Sequence, residues 1–70
     1  MKENIARIRD FSKWAEENGE TEKVLEYLGN TRWKEIYQEI ASSERDSFGH
    51  TTPMLIAAID NALSIYLLLP

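Results

Sequence analysis

The sequence predicts an all-α protein: a compact bundle of about four short helices with an apolar C-terminal helix at its centre, forming one domain over residues 1–70. Apolar residues recur at helical spacing in several segments, and no segment shows the strict alternation of a half-buried strand. The three glycines and two prolines stand where helices would start or stop. Such a short chain buries only about 60% of its unfolded surface, and without cysteine it relies on packing alone.

The first helix is predicted over about residues 3–18. Trp14 lies at the edge of its inward face, and Gly19 is the expected left-handed residue after its end. Five residues at helical spacing form that face: Ile5, Ile8, Phe11, Ser12 and Ala15.

The second helix is predicted to begin at Thr21 as its N-cap and to end at Gly29-Asn30, two residues that tolerate positive φ. Its inward residues are expected to be Val24, Leu25 and Leu28.

A third helix follows, capped by Asn30 or Thr31. Its apolar stripe is the most regular in the chain and comprises Trp33, Ile36, Tyr37, Ile40 and Ala41. Residues 42–52 then read SSERDSFGHTT, and side chains of this kind compete with helical hydrogen bonds by bonding their own backbone. We expect a loop here, anchored to the core by Phe48.

The fourth helix is predicted over about residues 53–68, because Thr52 is a good N-cap and proline is well tolerated at the first helical position. Ala57, Asp60, Asn61 and Ser64 form one narrow stripe of small or polar residues, and apolar residues cover most of the remaining circumference. Such a helix is either the centre of the fold or the seam of a homodimer or higher oligomer formed through residues 54–69. The candidate seam residues are Leu55, Ile59, Tyr66, Leu67 and Leu69.

The sequence predicts no catalytic site, no metal site and no cofactor, and hence a protein that is not an enzyme. Ser47, His50 and the nearby acids Asp46 and Asp60 supply the residue types of a catalytic triad. Three of them, however, fall within one short loop, which rarely aligns such groups. We therefore interpret His50, the single histidine, as a structural loop residue.

The stretch EENGE at 16–20 resembles, in its EExxE spacing, the all-helical nucleotide pyrophosphohydrolases of the MazG type. In that family carboxylates on facing helices hold magnesium ions, so the resemblance implies a metal-dependent hydrolase. Gly19 is expected to break the helix between Glu17 and Glu20, and the ExxD motif of those enzymes does not follow downstream. The three carboxylates are therefore not expected to share a helical face.

The segment TEKVLEYLGNTRWKEIYQEI resembles the outline of a helix-turn-helix DNA reader, which implies a transcriptional regulator as an alternative function. Its second helix carries Glu35 and Glu39 beside Arg32 and Lys34, and the net charge of the chain is −4. Because an acidic protein repels phosphate backbones, nucleic acid is an unlikely partner.

The leading hypothesis is a small intracellular, cytoplasmic binding protein that acts through protein–protein contact. An inhibitor of a host enzyme or defence system, carried by a phage or mobile element, would fit this profile. Its expected partner has a basic surface, because five acids lie around the first turn: Glu16, Glu17, Glu20, Glu22 and Glu26.

A further alternative is a small-ligand binder with a site between subunits. Its candidate stacking and anion-binding residues are Trp14, Arg32, Trp33 and Tyr37. We expect no membrane association, because the apolar run after Pro53 is short for a span of roughly 20 residues and is interrupted by polar residues. The charged N-terminus predicts no signal peptide.

Overall fold

The computed structural model describes residues 2–45, 47–49 and 51–70. Within this part of the chain there are four helices and no strands, so the all-α class is confirmed. The helices are α1 (Lys2–Glu17), α2 (Thr21–Leu28), α3 (Thr31–Ser42) and α4 (Pro53–Tyr66). Asp46 and His50, for which the sequence analysis makes predictions, lie outside the described residues.

The core draws buried apolar side chains from all four helices. The five residues predicted for the inward face of α1 are all buried. Phe48, in the loop between α3 and α4, is 1% exposed, which confirms it as the anchor of that loop. Ala41 is exposed at the end of α3, so its place in the predicted stripe is wrong. Leu25 packs against the core but is only partly buried.

Two of the predicted helix starts are confirmed by hydrogen bonds. The Asn30 side chain accepts a bond of 3.2 Å from the backbone N–H of Trp33, and Thr52 Oγ1 accepts one of 3.3 Å from that of Leu55. Pro53 stands at the first helical position of α4, as predicted. Each bond satisfies a backbone donor that a helix N-terminus would otherwise leave without a partner.

The predicted start of α2 is corrected, because Glu20 rather than Thr21 occupies the cap position and makes no side-chain capping bond. The N–H of Glu20 donates to the carbonyl of Ala15 at 2.7 Å, and the N–H of Gly19 to that of Glu16 at 3.3 Å. Gly19 has a φ of 66°. These two bonds form a Schellman motif at the C-terminus of α1. Glu20 takes part in this motif and is also the N-cap of α2, so no further residues separate the two helices.

The C-terminal helix ends at Tyr66, earlier than predicted, and a bond of 2.9 Å from the N–H of Leu68 to the carbonyl of Ile65 forms a turn after it. The α4 helix packs against each of the other three helices, and so does α1. Since α1 buries a longer face than α4, a central position for α4 alone is not confirmed.

Candidate functional site

A concave groove with a volume of about 340 Å³ lies between α1 and α4. Both helices line it with residues at i, i+3, i+4 and i+7, so each presents one stripe about two turns long. The lining residues of this α1/α4 groove are Arg7, Asp10, Phe11 and Trp14 from α1, with Asp60, Leu63, Ser64 and Leu67 from α4 and the turn after it.

The floor of the groove is apolar and belongs to the core. Phe11 is 8% exposed and Leu63 is 2% exposed. Trp14 and Leu67 rise from this floor and keep 38% and 56% of their surface exposed. The Trp14 ring lies against the Phe11 ring at a centroid distance of 5.5 Å, which holds the indole in place. The groove therefore has a fixed apolar base and two accessible apolar walls.

An ion pair closes one end of the groove. Asp60 Oδ2 accepts bonds from Asn4 Nδ2 at 2.8 Å and from Arg7 Nε at 2.9 Å, and Arg7 Nη2 lies 2.8 Å from the same oxygen. Asp60 lies in the stripe predicted as the polar side of α4 and contacts α1, whereas the other three residues of that stripe, Ala57, Asn61 and Ser64, are exposed. The hydrogen bond to Asp60 raises the pKa of Arg7. The positive charge of the guanidinium compensates the negative charge of the Asp60 carboxylate at this end of the groove.

Past Trp14 and Leu67 the groove continues into a second hollow of about 450 Å³. Here the Tyr66 hydroxyl donates a 2.5 Å hydrogen bond to Glu20 Oε1, and this bond raises the pKa of Tyr66. The Tyr66 ring also packs edge-on against Phe11 and Tyr27, at 5.9 and 5.1 Å. These contacts fix the last turn of α4 against the link between α1 and α2.

The five residues of the predicted oligomer seam differ in exposure. Ile59 is 0% exposed inside the chain's own core and is not available to a second subunit. Leu55 and Tyr66 are partly buried against the same core. Leu67 and Leu69 remain exposed. The reason is that α1, α2 and α3 all pack against α4. The large apolar residues of α4 that stay exposed, Met54 and Ile65, lie near its two ends.

The four candidate ligand contacts do not form one site. Tyr37 is 2% exposed and touches Phe11 from the core side, at a centroid distance of 6.4 Å. Trp14 lines the groove, whereas Arg32 and Trp33 lie at the start of α3 and line neither the groove nor the hollow beside Tyr66. The sequence did carry a signal for the groove: α1 and the end of α4 repeat the same spacing, with Trp14 at a face edge.

Four of the five acids predicted to form a partner-binding face are exposed. Glu16, Glu17, Glu22 and Glu26 are exposed around the α1–α2 link and make no ion pair with the described residues; they are called the acidic surface below. Glu20 is only partly exposed, because its carboxylate accepts the Tyr66 hydrogen bond and lies 3.9 Å from Lys23 Nζ. Glu20 therefore supports the fold in addition to adding negative charge.

The outer side of α3 has mixed charge. Arg32 and Glu35 are both exposed, and Glu39 pairs with Arg45 at 2.8 Å. Within the described ranges, no group of three or more carboxylate or histidine side chains is arranged to hold a metal ion. Nor does any helix in those ranges have the length and apolar character needed to span a membrane.

Comparisons with protein-family models, with curated proteins and with solved structures found no match to this chain.

Proposed function

We propose that the chain is a small, non-enzymatic binding protein that acts by occupying a basic surface on a larger protein. The observation that carries this proposal is the α1/α4 groove, an apolar floor with exposed Trp14 and Leu67 as its walls. Exposed apolar surface next to a concave site is typical of protein–protein interfaces, and tryptophan is enriched among the residues that dominate binding energy.

The C-terminal residues extend the same apolar region. Leu68 is 82% exposed and Leu69 is 52% exposed, and Leu69 lines the second hollow beside Trp14. Water contact with so many large apolar side chains is unfavourable by about 25 cal/mol per Å² of apolar surface. A partner that covers them gains this free energy on binding.

The acidic surface supports a basic partner. Glu16 and Glu17 stand at the C-terminal end of α1, where no basic residue offsets the partial negative charge of the helix dipole. Folding alone does not favour acids at this position. Their exposed position suits attraction of a positively charged protein surface.

The role that fits a small acidic binding protein of this kind is inhibition of a host enzyme or defence protein by a phage or mobile element. Cytoplasmic action is part of this proposal. The chain would act by covering a surface that the host protein needs for its own substrate or partner.

Affinity capture from a lysate of the source organism tests the proposal. The bait is the immobilised chain, compared with a Glu17→Lys, Glu22→Lys, Glu26→Lys triple variant and with Glu35→Lys as a control. Glu35 is an exposed acid on α3, outside the acidic surface. We expect one basic protein to be retained by the unchanged chain and the control, and to be lost from the triple variant. Retention of nucleotides without any protein would refute the proposal.

A further inference from the structure

We infer that the α1/α4 groove receives one amphipathic helix of the partner, with large apolar side chains between Trp14 and Leu67 and a basic side chain at Asp10. This inference rests on the proposed function and specifies the partner's structure. It is carried by the shape of the groove, by its apolar walls and by the charge along its rim.

The shape of the groove favours a helix as its occupant. Arg7 pairs with Asp60 at one end, and Trp14 and Leu67 flank the other, so α1 and α4 run in the same direction along it. The lined stretch covers seven residue steps, or about 10 Å of helix rise. This is the span over which a bound helix presents side chains at i, i+3 or i+4 and i+7, which is the usual pattern of helix-in-groove recognition.

The charge along the rim favours a basic occupant. Asp10 is exposed at the edge of the groove and forms no ion pair with the described residues. Glu17, equally unpaired among them, follows seven residues later and so lies on the same side of α1. Among the described residues that line the groove, the one cation is Arg7, and it is already paired with Asp60. Basic side chains on a docked helix would therefore meet two uncompensated carboxylates.

Neither α1 nor α4 of a second copy of this chain offers such a helix. Asp60 is the single charged residue in α4, so the most apolar helix carries no cation. The α1 helix is rich in cations, but its apolar face is buried in its own core. Two copies would also bring acidic rims together, each on a chain with a net charge of −4.

A synthetic helical peptide serves as the probe, with leucine at i, i+4 and i+7 and lysine at the flanking positions. Two companion peptides replace every lysine by glutamate or every leucine by alanine. In a Trp33→Phe background, Trp14 is the remaining tryptophan, and its fluorescence reports binding at the groove. We expect saturable binding of the lysine–leucine peptide and about tenfold weaker binding of each companion.

Two matched variants of the chain locate the binding site. Leu67→Asp and Met54→Asp each add one negative charge at an exposed apolar residue, but Met54 lies at the start of α4 and does not line the groove. A purely electrostatic attraction would strengthen equally in both. We expect Leu67→Asp to lose binding about tenfold and Met54→Asp to retain it. Leu67→Ala should weaken binding less, and circular dichroism confirms that each variant remains helical.

Several outcomes overturn the inference. Equal binding of the alanine companion, or unchanged binding to Leu67→Asp, would show that charge alone attracts the peptide. A dimer in sedimentation that Leu67→Asp dissociates would identify a second copy as the occupant. If the natural partner is captured through the acidic surface and Leu67→Asp does not release it, the helix inference fails while the proposed function stands. If the peptide binds as expected but no protein is captured, the proposed function alone fails.

Discussion

Asp60 joins α1 to α4 through an ion pair whose two members differ in exposure. The Asp60 side chain is 11% exposed, whereas that of Arg7 is 59% exposed. If Asp60 is removed, water can solvate the guanidinium. If Arg7 is removed, the carboxylate stays largely buried with Asn4 as its main remaining donor. The free energy of unfolding should therefore depend more strongly on Arg7 than on Asp60.

We expect Asp60→Leu to lower the free energy of unfolding by about 1.5–3 kcal/mol, the usual contribution of hydrogen bonds to charged groups. Arg7→Leu should lower it by about 3 kcal/mol or more, because an uncompensated buried charge remains. Urea denaturation followed by circular dichroism measures both. Asn61→Leu is the control on the exposed side of α4 and should change stability by less than about 0.5 kcal/mol. An Asp60→Leu effect as small as the control's would mean that Asp60 is hydrated.

Tyr37 makes stability depend on alkaline pH. Burial, with the nearby Glu16 carboxylate as a smaller cause, raises the pKa of Tyr37 from 10.0 to about 12. The folded state thus holds the phenolic proton more tightly than the unfolded state does. The resulting stability is fully present below pH 10 and is lost as the pH rises through about 12. The raised pKa of Tyr66 acts in the same direction.

Tyr37→Phe should therefore be nearly neutral at pH 7 and should reduce the loss of stability at alkaline pH. The Tyr37 hydroxyl has no hydrogen-bond partner among the described residues, so its removal breaks no bond there. Tyr27→Phe is the contrasting variant, because the Tyr27 hydroxyl donates to the carbonyl of Ala62 at 2.8 Å. It should lower stability by about 0.5–1.5 kcal/mol at neutral pH. Urea midpoints across pH test both, and an unchanged alkaline loss in Tyr37→Phe would exclude Tyr37 as its source.

At the scale of the elements, α1 has a charge order that opposes its own dipole at the C-terminal end. Its last turn contains Glu16 and Glu17 and no basic residue, while Glu3 stands favourably in the first turn. The unfavourable end belongs to the acidic surface. These two acids therefore lower the stability of α1 at the end where the proposed partner would bind.

Glu17→Lys should raise the free energy of unfolding by about 0.3–1 kcal/mol, whereas Glu3→Lys, the same change at the other end of α1, should lower it by a similar amount. Thermal and urea unfolding at low ionic strength measure the pair, and added salt should reduce both differences. Lysine at 17 should also weaken capture of the partner. Destabilisation by both substitutions would show that the dipole does not govern these positions.

Local signals predicted the helices well, because caps and periodicity act within a few residues. Asn30 and Thr52 mark helix starts through side-chain bonds to their own first turn, and Pro53 marks one because the first helical position needs no N–H donor. The start of α2 was misplaced because the closure of α1 uses Glu20, and that depends on two helices at once. The pairing of Asp60 with Arg7, and with it the groove, spans more than fifty residues of sequence. The spacing of residues within one helix cannot specify which other helix will pack against a given face of it.

Considered as a whole, the molecule has a small core and leaves several large apolar side chains uncovered at the C-terminal end. The free energy of unfolding of a domain of this length is typically about 3.5–10 kcal/mol, or about 0.05–0.15 kcal/mol per residue. A single core truncation can therefore remove a large part of its stability. Truncation of the uncovered side chains should remove almost none, since most of their surface is already in contact with water.

Ile59 and Leu68 test this division between core and free surface. Ile59 is 0% exposed in the core, and Leu68 is 82% exposed beyond α4. We expect Ile59→Ala to lower the free energy of unfolding by about 2–5 kcal/mol, because it leaves a cavity among packed side chains. Leu68→Ala should change it by less than about 0.5 kcal/mol. Both are measured by urea denaturation at several protein concentrations, with sedimentation as a check on assembly. A large loss in Leu68→Ala that shrinks as the chain is diluted would instead show that the C-terminal leucines hold copies of the chain together.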